Sequence, residues 1–414
     1  MNILIIYPEP DKKKHPRFGF SYEMLTIATI LSSYHKLRIF DYSCEPYNAH
    51  ELSSIIENDK IDLILLECDT FALKRSQNLI NAKEIIFLCN NKIPIIAYGN
   101  YCYITKKDFC GATYTVYDNN INNIIKHINE LSREKKIPFF FEYDSIPHIN
   151  RNILFSIDFY RKNKHCTLLQ TAKGCQNTCI FCQRKGWQGD YVPHSDAYVL
   201  SELEIIKQQG YTNVWITDEN FTFNLSRAKR LLSKIDKMSL AKGMKFFISS
   251  WANIDEEFLD LAVKCNISII SFGIESGDQN ILNFYKKNIQ LENIYKLIRY
   301  ANSLGIFTVG NFILGAPMET DETILKTFSL IKECEFDQVN IKILDYMIGS
   351  ELYNFLPEHL KKHDHVFASA VNGLTSFTLE DLINRRDDFI RGYYSEHRHK
   401  LGKKIKHFGT PYFI

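Results

Sequence analysis

Long apolar runs, strong net charge, internal repeats and low-complexity tracts are all missing from this chain of 414 residues. No stretch approaches the roughly 18 to 20 apolar residues needed to cross a bilayer, which excludes a helical membrane span. Basic and acidic side chains nearly cancel, 50 against 48, so no global field draws in nucleic acid or an anionic membrane. The opening "MNILIIYPEPDKKK" has no basic segment ahead of its short apolar run, unlike a secretory signal. The expected location is therefore the cytoplasm, where thiols stay reduced. What is present is a globular composition, 45% apolar and 24% charged, long enough for two domains with real cores.

The first 135 residues alternate short apolar runs with amphipathic stretches. "NILIIY", "KLRIFD", "IDLILLE", "EIIFLC" with "IPIIAYG", and "ATYTVY" read as strands, with helices near 20–33, 49–58, 71–81 and 120–134. Strands apolar on both faces and separated by helices imply a covered parallel sheet, a Rossmann-like domain over 1–140. The segment 132–152 breaks that rhythm with charge, two prolines and an aromatic run, and marks the junction. From 165 onward six further strand and helix units follow, too few for a closed eight-fold barrel. The expected fold is α/β: the Rossmann-like domain, a partial (β/α)6 barrel over 155–350, and a helical extension over 351–414 without strand signals, ending in the basic tail "HRHKLGKKIKHFG".

Eight of the eleven cysteines stand singly, at 44, 68, 89, 102, 110, 166, 265 and 334, and read as small buried hydrophobes. The other three, Cys175, Cys179 and Cys182, share the loop after the first barrel strand, at the end where barrels do chemistry. Three readings compete. A zinc site wants four ligands in two close pairs, and no second pair exists. A disulfide is disfavoured in the cytoplasm and leaves a thiol over. A cubane iron-sulfur cluster on three thiolates leaves its fourth iron open.

The spacing Cys175-x3-Cys179-x2-Cys182, with Phe181 before the last cysteine, resembles the signature of the radical S-adenosylmethionine (radical SAM) superfamily. Further landmarks follow at strand ends: "ITDENFTF", "FGIESGDQNILNFYKK", "VGNFILGAPMETDETI" and "GSELY". The resemblance implies a [4Fe-4S] cluster on the three cysteines, with the open iron taking the amino and carboxylate groups of SAM. An electron then cleaves SAM to a 5′-deoxyadenosyl radical that takes hydrogen from a substrate C–H bond. It also implies cofactor-binding positions at Phe181, at Asp218, Glu219 and Asn220, at Glu275 and Ser276, and at Gly315, where a missing side chain permits close backbone approach. The family's glycine pair ahead of that glutamate is absent, so which of the three side chains at 218–220 meets the methionine amine stays open. Two readings stand for Glu319, a ligand-side carboxylate or first-turn helix dipole partner, and two for Arg184 and Lys185, a carboxylate clamp or a solvated basic pair.

A Rossmann-like domain ahead of such a barrel resembles the cobalamin-binding domain of one large subgroup. "GFSYEMLTIATIL" and "IPIIAYGN" carry that likeness. The Asp-x-His-x-x-Gly ligand motif is absent, Asp11, His15 and Gly19 being wrongly spaced, and the usual glycine pair is reduced to Gly99 followed by Asn100. The resemblance implies cobalamin-dependent C-methylation of a small-molecule intermediate or peptide, served by a reducing partner such as flavodoxin or ferredoxin. The alternatives are cobalamin-independent cyclisation, rearrangement, desaturation or epimerisation, and a non-enzymatic iron-sulfur scaffold or sensor. Nothing resembles an RNA-binding module, and no cysteine follows Cys334, which excludes a second cluster domain beyond it.

Overall fold

The computed structural model describes residues 1–8, 21–41, 48–68, 77–89, 92–133, 136–153, 166–184 and 189–408. Asp11, His15, Gly19, Cys44 and Lys185 lie outside the described residues. The chain forms two compact units, Met1–Leu169 with Gly186–Tyr211, and Gln170–Lys185 with Thr212–Ile414.

In the first unit, strands β1 (Asn2–Tyr7), β2 (Lys36–Asp41), β3 (Leu63–Glu67), β4 (Ile95–Tyr98) and β5 (Tyr114–Thr115) form one parallel sheet in the order β2-β1-β3-β4-β5. The order reverses at β1, so right-handed crossovers put helices on both faces. That is why Ile3 to Tyr7 and Leu63 to Leu66 are buried without alternation. The helices are α1 (Tyr22–Leu31), α2 (Ala49–Asn58), α3 (Gln77–Cys89), α4 (Asn100–Thr105) and α5 (Ile121–Leu131). Ser21, Asn48 and Asn120 cap α1, α2 and α5 by accepting first-turn amides.

The expected strand at 84–89 is instead the second half of α3. Ala82, Ile85, Ile86 and Cys89 are buried while Phe87 is 82% exposed, a helical stripe that a short apolar run hides. The expected buried thiols at Cys68, Cys89, Cys102, Cys265 and Cys334 are buried, but Cys110 is exposed.

The first unit also holds β6 (Cys166–Leu169) and α6 (Asp196–Gln208). Arg151, fully buried, donates from Nη1 to Glu202 Oε1 at 2.7 Å, from Nε to Thr167 Oγ1 at 2.7 Å, and from Nη2 to the Leu168 carbonyl at 2.9 Å. His148 Nδ1 lies 2.8 Å from the second Glu202 oxygen. His194 is stacked between Tyr143 and Tyr198, with ring centroids 3.8 and 3.9 Å away, and its Nδ1 meets Asp144 at 2.9 Å. The segment around residues 143–151 is thus pinned by charge and stacking.

In the second unit, β7 (Asn213–Ile216), β8 (Lys245–Trp251), β9 (Ile267–Glu275), β10 (Phe307–Leu314) and β11 (Gln338–Ile343) are parallel and lie in sequence order. The intervening helices are α7 (Leu225–Lys237), α8 (Glu256–Lys264), the short α9 (Gln279–Phe284), α10 (Leu291–Ser303) and α11 (Asp321–Cys334). Without a reversal of order, right-handed crossovers put these intervening helices on one face. Burial follows: on β8, Phe246, Ile248 and Ser250 are buried, whereas Lys245, Phe247, Ser249 and Trp251 are only half-buried.

Register lines the helix-free face in rows. Trp215, Phe247, Ile269 and Phe307 make an apolar base; Ser249, Ser271, Val309 and Gln338 lie above it, then Trp251, Gly273, Asn311 and Asn340, then Ile313 and Lys342. Beyond β11, β12 (Asp345–Met347) pairs antiparallel with β13 (His365–Phe367), and α12 runs from Leu379 to Phe408. The extension is therefore helical only from Leu379; ahead of it lie a small ribbon and two 3-10 turns.

Candidate functional site

The cysteine loop is entered through Gly174, whose φ of +77° lies in the left-handed region. Its centre is tied from two directions: Ile180 N–H donates to the Tyr285 carbonyl at 3.3 Å, and the Ile180 carbonyl accepts from Leu352 N–H at 2.8 Å. Gln183 Nε2 donates to the Ile348 carbonyl at 2.9 Å. Ile180 is buried, and Phe181 meets the Tyr285 ring edge-on at 5.2 Å. Cys175, Cys179 and Cys182 are each partly exposed on this framework.

Burial pushes the Cys179 thiol up to about 12, and the nearby Lys287 ammonium pulls it back only in part. Burial also raises Cys182, against the pull of Arg184. Such thiols give up their protons to a metal centre rather than to water. Among the described residues no three His, Cys, Asp or Glu side chains converge on a point where a single ion would sit. A cubane makes no such demand, because each thiolate binds a different iron. Three partly exposed thiols on a tied loop fit that group and not a mononuclear site.

Asp218 follows β7 and is buried. Its carboxylate accepts Thr171 N–H at 2.6 Å, Ala172 N–H at 3.1 Å and the Thr171 hydroxyl at 2.5 Å. Burial raises it from 3.8 to about 6 despite those donors. Arg227, buried in the first turn of α7, donates to the Thr171 carbonyl at 2.8 Å from the other side. Together they fix the approach to the cysteine loop. Asn220 Oδ1 accepts the Thr222 amide at 3.2 Å and its hydroxyl at 3.0 Å. Of the three neighbouring polar residues, Glu219 is the one that reaches the cysteine loop, by an ion pair with Arg184.

At the end of β9 a register shift lies between Gly273 and Glu275, and Glu275 takes φ of +78°. Its carboxylate lies 3.2 Å from Lys287 Nζ, and that buried ammonium sits 4.0 Å above the Trp251 ring. A Cβ on Gly273 would lie 2.8 Å from Glu275 Oε1 and 3.2 Å from Lys287 Nζ, so only glycine leaves room for the pair. Ser276 turns inward, accepting Asp278 N–H at 3.1 Å.

Gly315, with φ of +103°, donates its N–H to Glu319 Oε2 at 2.7 Å, and Ala316 N–H donates to the same oxygen at 3.1 Å. Glu319 is buried, which raises its carboxyl against these donors. It precedes Thr320, the N-cap of α11, and so closes its own loop instead of sitting in the first turn. The structure thus brings Arg184 with Glu219, and Gly315 with Glu319. Asp218, Asn220 and Ser276 are engaged by the chain's own loops. Lys287, Tyr285 and Arg227 are additions: Lys287 ends the landmark "NFYKK", while Arg227 sits in an amphipathic helix like any surface cation.

The superfamily model described as "Radical SAM superfamily" matches residues 169–331. The chain is 29% identical over 229 residues to cytidylyl-2-hydroxyethylphosphonate methyltransferase of Streptomyces wedmorensis, covering 51% of this chain and 43% of that protein. It is 27% identical over 395 residues to an uncharacterized methyltransferase of Pyrococcus horikoshii, covering 86% and 83%. The chain therefore spans less than half the length of the first relative and most of the second. Among solved structures it resembles the radical SAM methyltransferase TsrM of Kitasatospora setae with cobalamin and a [4Fe-4S] cluster bound, at a TM-score of 0.71 and 15% identity, covering 85% and 76%. It also resembles the cobalamin-dependent radical enzyme OxsB with aqua-cobalamin bound, at 0.65 and 16%, covering 80% and 52%. The superfamily match is confined to residues 169–331, the stretch that carries the three cysteines, Glu275 and Gly315, and by it this part of the chain is similar to the radical SAM superfamily.

Proposed function

We propose that Cys175, Cys179 and Cys182 hold a [4Fe-4S] cluster that binds SAM, and that the chain uses the resulting radical to methylate a carbon of a small-molecule or peptide substrate with cobalamin as methyl carrier. The observation that carries this reading is the tied loop with three partly exposed thiols and no fourth. Bound there, the cluster supplies the electron that cleaves SAM. Arg184 and Glu219, already paired at the loop, match the carboxylate and ammonium of the methionine moiety. Phe181 offers a ring face, and the 315–319 loop offers backbone close to a glycine, for the adenosine. The apolar base of the helix-free face keeps water from the radical's path.

For cobalamin, the supporting observation is the strand order of the first unit, which opens a ligand crevice at the carboxyl ends of β1 and β3. Gly99 turns the chain just past β4 with φ of +111°. The methyltransferase names of the relatives and the cobalamin of the two structural neighbours point the same way. A low-potential donor such as flavodoxin or ferredoxin would reduce the cluster, and the cytoplasm suits both. No helix among the described residues is long and apolar enough to cross a membrane.

Anaerobically reconstituted protein given dithionite and SAM should release 5′-deoxyadenosine. A fully loaded cluster that releases none sinks the enzymatic reading. Protein purified from cells supplied with cobalamin should carry a corrinoid absorption band; its absence after attempted loading leaves radical chemistry without methyl transfer.

A further inference from the structure

We infer that the helix-free face of the second unit receives an anionic substrate, with Lys342 and Asn340 holding its carboxylate or phosphoryl oxygens; this rests on that face being the substrate chamber of the reaction proposed above. The rows already described put the chemistry in order of depth. The base is aromatic and aliphatic, the middle is hydroxyl and amide, and the row nearest the carboxyl ends of the strands carries Lys342 beside Ile313.

The amides form a directed ladder. Gln338 Nε2 donates to Asn340 Oδ1 at 3.2 Å, and Asn340 Nδ2 donates to Asn311 Oδ1 at 3.0 Å. Asn311 Nδ2 donates both to Ser271 Oγ at 2.8 Å and to the Phe272 carbonyl at 3.0 Å. Asn311 is thereby locked, and it locks Asn340 in turn. Among the described residues one N–H of Asn340 keeps no acceptor, and Gln338 Oε1, buried, has no donor. A rigid amide edge with spare donors on a half-buried face is a recognition surface.

Charge decides what it recognises. Lys287 is neutralised by Glu275, and Arg184 by Glu219. Lys342 is exposed, and among the described residues it has neither an ion-pair nor a hydrogen-bond partner. It stands two residues beyond Asn340 on the same face, about 7 Å along the strand, a span that one oxyanion bridges between ammonium and amide. A neutral polyol would need the amides and not the ammonium. A lysine on a sheet's last strand also discourages edge pairing, a role that creates no saturable anion site.

The test is isothermal titration of the cluster-loaded full chain with methylphosphonate and with acetate, which share a methyl group and differ in the anion. At least one should bind with a stoichiometry of one. Lys342→Met should weaken it about tenfold, or about 1.4 kcal/mol, Lys342→Arg should weaken it about threefold or less, and Lys362→Met, an exposed control, should leave it unchanged. Binding of one probe alone assigns the phosphoryl or the carboxylate source, and binding of both supports the shared class. Saturable binding of neither probe, or equal binding by Lys342→Met, overturns the inference. Release of 5′-deoxyadenosine is measured on the same samples without substrate. Lost anion binding with intact cleavage defeats this inference alone, whereas lost cleavage in the native chain defeats the reading beneath it.

Discussion

Both units are parallel sheets built from alternating strands and helices, yet one reverses its strand order and the other does not. The reversal at β1 covers both faces of the first sheet, leaving only the strand ends for chemistry. The unreversed second sheet keeps one face free of its crossover helices among the described residues, with amides and charges set in rows along it. The same local grammar thus leaves strand ends open in one case and a sheet face in the other. Polar groups divide accordingly: in the first unit Arg151 and Glu202 are fully buried and paired, while in the second Lys342 has no partner among the described residues.

The sharpest break between the units should come from their thiols. Cys182→Ala should abolish full iron content and 5′-deoxyadenosine release, whereas Cys68→Ala in the first unit should leave iron per chain unchanged, as read by iron assay and electron paramagnetic resonance. Next in size, Arg151→Met strands the Glu202 carboxylate in the interior and should cost about 3–5 kcal/mol, measured by urea unfolding. Gly99 and Gly315 have almost the same φ, +111° and +103°, but different surroundings. A Cβ at 99 meets the Cys68 carbonyl oxygen at 2.6 Å, whereas one at 315 meets the side chains of Leu382 and Ala368 at 3.1 and 3.2 Å. Gly99→Ala should therefore cost about 3 kcal/mol and Gly315→Ala about 1–2 kcal/mol, because side chains yield and backbone does not.

The smallest effect is a pH slope. The Asp218 carboxyl titrates at about 6 in the folded chain against 3.8 ordinarily, so between those values the native state holds more protons than the unfolded one. Its contribution to stability is full below that window, falls as pH rises from about 4 to about 6, and is flat above. Asp218→Asn should flatten that part of the curve of unfolding midpoint against pH.

The cysteine loop, the two sheets and most helices were legible in the sequence because periodicity, cap residues and spacing are local signals. Asn224, Asp255, Asp278 and Thr320 each stand where a helix begins. Residues 84–89 suggest a strand because six apolar-rich residues satisfy either period, and in the fold they complete α3. The β13 strand has only three residues and is defined by its partner β12, so no local pattern announces it. Site residues split the same way. Motif position marked Glu275 and Glu219, but that Asp218 would be engaged by Thr171 depends on a pairing 47 residues away. Lys287 stands in the sequence only as the end of a landmark, and its role shows once the fold sets it over Trp251.

The ties on the cysteine loop also carry a statement about time. Gln183 waits for a carbonyl 165 residues further along, and Ile180 waits for Leu352. A ribosome delivers Cys182 long before it delivers those partners. The loop can reach its final shape only after the ribbon region has emerged, so insertion of the proposed cluster would come late in the life of each new chain, with the thiols open to oxidation or to stray metals until then.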